Sequence, residues 1–268
     1  ALFSFNRYND FVTLTLLLNQ HKKGSSVPCM EIKGFVDISL VDWDEKVSST
    51  IFLANCNMRC PFCYNATLVL HPEKLRTIPF EEIAEYLERN REWIDGVVVT
   101  GGEPTIHSDL LNLCEKIKEL GFSVKIDTNG TNPTLIRELI NKKLVNYVAV
   151  DIKAPLEQKK YHMAVGVNTS GLLDRILETI NILLDSQTDY EFRTTVVPTI
   201  HKEGDIEEIC QKIKNCKKYI LQNYKTDVET INPNFKNLKP FSNDELKTFL
   251  KTARKIIPNA TLRNNILK

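Results

Sequence analysis

The sequence lacks long apolar runs and lacks an excess of either charge. None of its segments reaches the roughly 18 consecutive apolar residues needed to cross a bilayer. Lysines and arginines number 35 against 34 aspartates and glutamates, so the net charge is +1. This balance gives no sign of polyanion binding. We therefore expect neither membrane insertion nor bulk nucleic-acid binding.

Linkers and paired cysteines are also lacking. No stretch rich in proline, glycine or serine divides the chain, so residues 30–268 are predicted to form one domain. The seven cysteines are an odd number, and three of them lie in one short segment, which is typical of a reducing, cytoplasmic compartment. Residues 1–29 make a poor signal peptide and are interpreted as an appended segment or, alternatively, as a short extra helix.

Short apolar runs alternate with helical patterns along most of the chain. Six such units repeat at roughly 35 residues each, as βαβ units do. Strands that are apolar along their whole length predict a parallel sheet covered by helices. The predicted fold is therefore α/β, a partial (β/α)6 barrel of TIM type that is open on one side. A further strand is predicted at residues 31–40, and the six at residues 49–54, 96–100, 123–127, 147–152, 190–197 and 218–222.

The first of the six units leads into Cys56, Cys60 and Cys63, which have C-x3-C-x2-C spacing. Thiolates bind iron–sulfur clusters and zinc, but structural zinc sites and electron-transfer clusters normally take four protein ligands. No fourth cysteine or histidine stands nearby. A cubane cluster bound by three thiolates keeps one iron open, which favours catalysis. Cys114 is interpreted as a core residue, and Cys210 and Cys216 as ordinary helix residues.

Polar or turn residues stand near the ends of the next four strands. In parallel α/β folds the carboxyl ends of the strands meet on one face, where sites form. Two successive glycines let backbone carbonyls approach a ligand closely, and Glu103 after them offers a negative acceptor or fixes the loop. We expect one site on the face that carries the cysteine loop. These residues are Gly101, Gly102, Glu103, Asp127, Thr128, Asn129, Asp151, Lys153 and Arg193.

The cysteine spacing, with Phe62 before the last cysteine, resembles the cluster-binding motif of the radical S-adenosylmethionine (radical SAM) enzymes. The later motifs, Gly-Gly-Glu, Asp-Thr-Asn-Gly and Asp-x-Lys in that order, resemble those of glycyl-radical-enzyme activating enzymes. The families meant are the pyruvate formate-lyase activators and the anaerobic ribonucleotide reductase activators. The likeness runs from about residue 30 to the C-terminus.

This resemblance implies a set of cofactor contacts. A [4Fe-4S] cluster would be held by the three cysteines, and the amino and carboxylate groups of S-adenosylmethionine would chelate its open iron. Gly101, Gly102 and Glu103 would hold the amino group, while Phe62 and Tyr64 would lie near the adenine. The full predicted cofactor-binding set is Phe62, Tyr64, Gly101, Gly102, Glu103, Asp127, Thr128, Asn129, Asp151, Lys153 and Arg193.

The charged members of this set have more specific expected roles. Asp127, Thr128 and Asp151 match positions that surround a monovalent cation beside the carboxylate of S-adenosylmethionine in the pyruvate formate-lyase activators. Lys153 would bind S-adenosylmethionine directly, and Arg193 would be a further carboxylate contact. Structural alternatives stay open: Asp151 as a helix cap, Lys153 as a surface residue, and Arg193 paired with Glu191 or Asp189.

The reaction so implied is reductive cleavage of S-adenosylmethionine to methionine and a 5′-deoxyadenosyl radical, which removes hydrogen from a glycine of a partner glycyl-radical enzyme. A flavodoxin- or ferredoxin-like donor is expected, because reducing a sulfonium needs a low potential. One alternative is a radical SAM enzyme acting on a small molecule, such as a 7-carboxy-7-deazaguanine synthase-like step. Another is an iron–sulfur electron carrier or a zinc-binding module.

Overall fold

The computed structural model describes residues 31–226 and 228–263. The predicted appended segment, residues 1–29, lies outside these ranges. The described residues form one eight-stranded sheet whose strands follow one another in chain order. The strands are β1 (Ile32–Ser39), β2 (Ser48–Leu53), β3 (Gly96–Gly101), β4 (Ser123–Thr128), β5 (Tyr147–Asp151), β6 (Asp189–Val196), β7 (Tyr219–Asn223) and β8 (Ala260–Arg263).

The sheet is parallel except at one edge. Strand β1 pairs antiparallel with β2, and every later pair of neighbours is parallel. The sheet is open, with β1 and β8 as its edges. The predicted α/β fold with parallel strands is confirmed, and an open sheet of this order is consistent with a partial barrel. The six predicted units correspond to β2–β7, and the structure adds β8 beyond them.

Helices connect the strands and cover the sheet. They are α1 (Ala66–Leu70), α2 (Phe80–Arg89), α3 (Leu110–Glu119), α4 (Pro133–Asn141), α5 (Gln158–Val165), α6 (Leu172–Leu184), α7 (Glu203–Lys212) and α8 (Asn243–Arg254). Burial of one face per helix and of nearly the whole central strands builds a continuous core. Within the described ranges, no helix combines the length and apolar character that a bilayer-spanning segment needs.

Local signals fix several helix ends. The side chain of Asn132 accepts a hydrogen bond from the Leu135 N–H at 3.2 Å, with Pro133 at the first helical position of α4. Ser242 and Glu245 form the capping box that opens α8. Cys114 is fully buried on α3, as predicted. Cys210 is a buried residue of α7, whereas Cys216 lies beyond the end of that helix, so the prediction of two helix residues was half wrong.

The loop between β1 and β2 lies at the amino ends of the parallel strands. Its Asp44 carboxylate contacts the Lys218 ammonium at 2.6 Å and the Arg263 guanidinium at 2.8 Å. Lys218 precedes β7 and Arg263 belongs to β8, so one carboxylate joins the first loop of the sheet to its last two strands. Ion pairs therefore connect the first loop of the sheet to its last strands. The polar ends of the strands lie at the opposite, carboxyl end of the sheet.

Candidate active site

The cysteine loop follows β2 and is held by its neighbours through backbone hydrogen bonds. The Arg59 N–H donates to the Val165 carbonyl of α5 at 2.8 Å. On the other side, the N–H groups of Ile231 and Asn232 donate to the carbonyls of Cys63 and Pro61 at 3.2 and 2.9 Å. The loop is thus fixed between α5 and the segment that follows β7, which positions its thiols before any cofactor binds.

The three thiols are largely buried, and their charges affect one another's pKa values. Burial raises the pKa of Cys56 to about 11 and that of Cys60 to about 12, and it also raises the pKa of Cys63. The charge of a Cys63 thiolate contributes to both of the first two increases, whereas the Lys153 ammonium opposes all three. Each thiol is therefore close enough to the Lys153 ammonium to interact with its charge.

These thiols suit a cluster better than a single ion. Among residues 31–226 and 228–263, no three thiol, imidazole or carboxylate side chains converge closely enough to bind one metal ion. Each thiolate of a cubane cluster binds a different iron, so its ligands need not meet at one point. Three cysteines on one preformed loop match that donor set.

The Gly-Gly-Glu loop packs directly on the cysteine loop. The Gly102 and Glu103 N–H groups donate to the carbonyls of Leu53 and Asn55 at 2.9 and 2.8 Å. A Cβ at Gly102 would lie 1.6 Å from the Asn55 carbonyl oxygen, so only glycine permits this approach. The Asn65 side chain donates to the Gly101 carbonyl at 2.6 Å. Gly102 is therefore required for the contact between these two protein loops.

Glu103 joins the ends of β3 and β4. Its buried carboxylate accepts hydrogen bonds from the Thr105 N–H and hydroxyl at 3.0 and 2.5 Å, from the Thr128 hydroxyl at 2.6 Å and from the Asn129 N–H at 2.6 Å. Burial raises the pKa of Glu103 despite these donors. Glu103 was expected either to accept a hydrogen bond from a ligand or to fix the loop. Its contacts show that it fixes the loop.

Asn129 extends this connection to the cysteine loop. The side-chain nitrogen Nδ2 of Asn129 donates to Asn57 Oδ1 at 2.8 Å and lies 3.9 Å from Cys56 Sγ. The Asn57 amide in turn donates to the Thr131 hydroxyl at 2.8 Å. Asn57, Asn65 and Thr131 are absent from the predicted set. The sequence feature that could have identified them is the high number of asparagines and threonines in the loops that follow the strands.

Arg193 lies between two carboxylates from neighbouring strands. Its Nε donates to Asp151 Oδ1 at 2.8 Å and its Nη1 to Asp127 Oδ2 at 2.9 Å. The Lys153 ammonium donates to the other Asp151 oxygen at 2.8 Å. The alternative of a surface Lys153 is wrong, since its side chain is 19% exposed. Of the alternative partners of Arg193, Glu191 is 3.8 Å away.

Mutual charge dominates the ionisation of this group. Burial raises the pKa of Asp151, but the charges of Arg193 and Lys153 outweigh it and hold that pKa well below its usual range. Conversely, Asp151 raises the pKa of Lys153 against the effect of burial. Asp151, Lys153 and Arg193 are therefore charged across the physiological pH range.

Both backbone polar groups of Lys153 form hydrogen bonds. Its N–H donates to the Tyr161 hydroxyl at 3.3 Å, and its carbonyl lies 3.0 Å from His201 Nε2. The Val197 N–H donates to His201 Nδ1 at 3.0 Å, so Nε2 carries the proton and donates to Lys153. Neither Tyr161 nor His201 was predicted, although His201 follows the end of β6 by five residues.

The two aromatic residues of the cysteine loop occupy different surroundings. Phe62 is buried in the core with 5% exposure. Tyr64 is 37% exposed, its ring lies 5.6 Å from that of Tyr224, and its hydroxyl accepts a hydrogen bond from the Lys225 N–H at 2.5 Å. Tyr64 is therefore the more exposed of the two residues, so an adenine contact is more accessible to it than to Phe62.

Comparison with known proteins decides the family. Residues 50–213, more than half of the chain, match the model of the Radical SAM superfamily. The chain is a radical SAM protein. Radical SAM enzymes take a [4Fe-4S] cluster and S-adenosylmethionine as cofactors, which agrees with the three thiols of the cysteine loop.

Individual relatives of this radical SAM protein differ in how much of it they match. A Methanocaldococcus jannaschii protein, provisionally named a glycyl-radical enzyme activating enzyme, is 36% identical over 87% of this chain and 95% of its own. The 7-carboxy-7-deazaguanine synthase of Hyperthermus butylicus is 38% identical, but over 32% of this chain and 36% of its own.

A solved structure supports the fold of this radical SAM protein. Streptococcus suis SuiB, in the crystal structure with its precursor peptide SuiA, superposes with a TM-score of 0.63 at 18% identity. The match covers 80% of this chain and 48% of SuiB. At this identity the likeness concerns the arrangement of strands and helices alone.

Proposed function

We propose that this radical SAM enzyme activates a partner glycyl-radical enzyme by removing a hydrogen atom from one of its glycines. The observation that supports this function best is the 36% identity to the M. jannaschii protein over 87% of this chain and 95% of that protein. A match of this length spans the later strand ends as well as the cysteine loop. The match to the H. butylicus synthase, in contrast, covers 87 residues.

Cys56, Cys60 and Cys63 are proposed to hold the cluster. When bound, the cluster and S-adenosylmethionine supply the chemistry: one electron breaks a carbon–sulfur bond, giving methionine and a 5′-deoxyadenosyl radical that takes a hydrogen atom and leaves a glycyl radical. The thiols must lose their protons for the cluster to assemble. Their raised pKa values oppose this loss, and the Lys153 ammonium favours it.

The Gly-Gly-Glu loop is proposed to bind the amino group of S-adenosylmethionine. A carbonyl oxygen has two lone pairs, and Asn65 uses one of those on Gly101. The second can accept from the ammonium of the ligand. Glu103, Thr128 and Asn129 act by fixing the loops to each other, because their side chains are engaged in the hydrogen bonds described above.

The cationic side chains are proposed to bind the carboxylate of S-adenosylmethionine. Lys153 and Arg193 both lie beside Asp151, and both are held by short ion pairs. Charge-assisted hydrogen bonds from such preorganised donors are roughly twice as strong as neutral ones. Tyr64, with its partly exposed ring, is the aromatic residue proposed to lie near the adenine. The electron is proposed to come from a flavodoxin- or ferredoxin-like protein.

A single assay tests this function. The protein is reconstituted with iron and sulfide without oxygen, reduced, and incubated with S-adenosylmethionine and a peptide that carries an Arg-Val-x-Gly-Tyr segment. We expect methionine and 5′-deoxyadenosine, together with a glycyl radical seen by electron paramagnetic resonance. The control peptide has alanine in place of the glycine and should give no such signal.

The same assay separates the alternative functions. Cofactor cleavage that only a pterin stimulates, with no glycyl radical, would favour the 7-carboxy-7-deazaguanine synthase-like step, which the local 38% identity supports. An iron–sulfur electron carrier would not cleave S-adenosylmethionine in this assay, and metal and acid-labile sulfide analysis separates the zinc-binding module. One zinc and no sulfide per chain would contradict the proposed function.

A further inference from the structure

Most side-chain oxygen atoms of Asp127, Thr128 and Asp151, which were expected to surround a monovalent cation, already form hydrogen bonds within the protein. Both carboxylate oxygens of Asp151 accept hydrogen bonds from Arg193 and Lys153, and one oxygen of Asp127 accepts from Arg193. The Thr128 hydroxyl donates to Glu103 and accepts from the Gly130 N–H at 3.1 Å. These residues therefore do not offer the open set of oxygen ligands that a hard cation needs.

One oxygen of this group remains without a hydrogen bond. Asp127 Oδ1 is buried and accepts none in the described part of the chain. The Lys125 ammonium lies 3.5 Å from it, however, and the Lys125 side chain is 1% exposed. A metal cation on this oxygen would be placed next to a buried ammonium, where charge repulsion disfavours it.

The charge balance of the barrel interior leads to the same conclusion. Three carboxylates, Asp127, Asp151 and Glu191, are connected by ion pairs. Five cationic side chains contact them, and two of the five, Lys218 and Arg263, also pair with Asp44. Four carboxylates and five cations leave one net formal positive charge. A metal ion would increase that charge, whereas the carboxylate of S-adenosylmethionine would neutralise it. The five are Lys125, Lys153, Arg193, Lys218 and Arg263.

We propose that the Arg193 guanidinium takes the place of the monovalent cation, bridging Asp127 and Asp151 and facing the carboxylate of S-adenosylmethionine. The position is built into the sheet, because Arg193 pairs in register with Asp151 across β5 and β6. A guanidinium has five N–H donors in a planar fork, of which the two aspartates use two. This proposal rests on the cofactor assignment made above, but not on the identity of the substrate.

One consequence is that cofactor binding does not depend on potassium or sodium. For the wild-type enzyme, we expect KM for S-adenosylmethionine to change less than about twofold when choline chloride replaces potassium or sodium chloride at equal ionic strength. A decrease of roughly tenfold in KM with either metal ion would overturn the proposal. Methionine formation is the readout, so an absent glycyl radical would count against the substrate and not against Arg193.

A second consequence can be measured without any cofactor. The variant Arg193→Ala leaves two carboxylates facing a space that a metal cation can enter. Thermal unfolding of the cluster-free variant should shift upward in potassium or sodium chloride relative to choline chloride, whereas the wild type should not respond selectively. The control Arg137→Ala removes an exposed arginine that pairs with Glu178 at 2.9 Å, and it should behave as the wild type does.

Two further results bear on this second measurement. If Arg193→Ala does not fold, Arg193→Gln replaces it, because a glutamine fills much of the same volume but carries no charge. We expect Arg193→Gln to respond to metal cations as well. Selective stabilisation of the wild type by potassium or sodium, or no selective response in either variant, would overturn the proposal.

Discussion

At the scale of single residues, the proposed ligands of the cluster are three thiols close to one lysine. Cys60 is the most deeply buried of the three, with 7% of its surface exposed. Its loop is fixed by backbone hydrogen bonds to α5 and to the segment after β7. Since the loop is preformed, removing one thiol should remove a ligand without displacing the other two.

Replacing Cys60 with serine is therefore expected to abolish most cluster binding, because a hydroxyl is a much poorer ligand for an iron–sulfur cluster than a thiolate. The measurement is iron and acid-labile sulfide per chain after reconstitution. Cys114→Ala is the matched control, since Cys114 lies buried on α3 away from the loop. Full iron and sulfide in the Cys60→Ser protein would show that another side chain holds the cluster.

His201 gives a prediction about pH. Burial lowers the pKa of His201 from 6.5 to about 4, so the folded protein favours the neutral ring. Between these two values the unfolded chain binds more protons, and the free energy of unfolding therefore rises with pH. The stabilisation is complete above about pH 6.5 and is lost as the pH falls toward 4, with a slope of at most about 1.4 kcal/mol per unit.

Comparing the wild type with His201→Gln isolates this contribution. Unfolding by denaturant between pH 7 and pH 5 should show a steeper loss of stability in the wild type than in the variant. KM for S-adenosylmethionine should rise in the variant more than kcat falls, because His201 acts through the position of Lys153. Parallel pH profiles for the two proteins would contradict the prediction.

The residues of the site were predictable to different degrees. The three cysteines and Gly-Gly-Glu could be identified because their spacing is a property of the sequence itself. The partners of Arg193 could not, because they depend on the register of β4, β5 and β6, which brings Asp127 and Asp151 to the same guanidinium. Sequence favoured neighbours such as Glu191, whereas the shortest contacts come from other strands.

At the scale of elements, the strands with long buried runs were predictable, and so was the half-exposed β1, whereas the short β8 was not. Strands β2–β7 combine such runs with β-branched or aromatic residues, which gave them a clear pattern. Strand β8 has four residues, one of them buried, and helix α5 lies in a connection with weak amphipathic character. These two elements form through tertiary contacts, such as the bond between α5 and the cysteine loop, which local sequence does not encode.

The close contact between the Gly-Gly-Glu and cysteine loops gives a prediction at this scale. Gly102→Ala would bring a Cβ to 1.6 Å from the Asn55 carbonyl oxygen and force the two loops apart. We expect a loss of roughly 1–3 kcal/mol in the free energy of unfolding and weaker binding of S-adenosylmethionine. Both are measurable by denaturant unfolding and by equilibrium binding to the reconstituted protein.

Gly204→Ala is the matched control for this substitution. Gly204 lies in α7, where an added Cβ meets nothing within 4 Å. The same chemical change should there stabilise the protein by roughly 0.4–1 kcal/mol through the unfolded state, with binding unaltered. If Gly102→Ala behaved like Gly204→Ala, the loops would not be in the contact described.

At the scale of the whole molecule, an open sheet has edges that must be held together. Asp44 contacts Lys218 and Arg263, and Arg263 also contacts the buried Glu191 at 2.8 Å. The network joins the first loop of the sheet to β6, β7 and β8. Burial raises the pKa of Asp44, but hydrogen bonds from Lys218 and Arg263 more than offset this effect, so the pKa is lowered. The stabilisation is therefore present above the usual carboxyl pKa and is lost as the pH falls below it.

A double-mutant cycle between Asp44 and Arg263 tests whether this network ties the sheet across its open side. With Asp44→Ala, Arg263→Ala and the double variant, we expect a coupling energy of about 1 kcal/mol from denaturant unfolding at pH 7. The side chain of Arg263 is 14% exposed and that of Asp44 is 41% exposed, so the coupling should weaken in high salt without disappearing. The exposed pair Arg137–Glu178 is the comparison, with an expected coupling below about 0.5 kcal/mol that high salt removes. Equal couplings in the two cycles would mean that Asp44 is an ordinary surface charge and that packing alone holds the last strands in place.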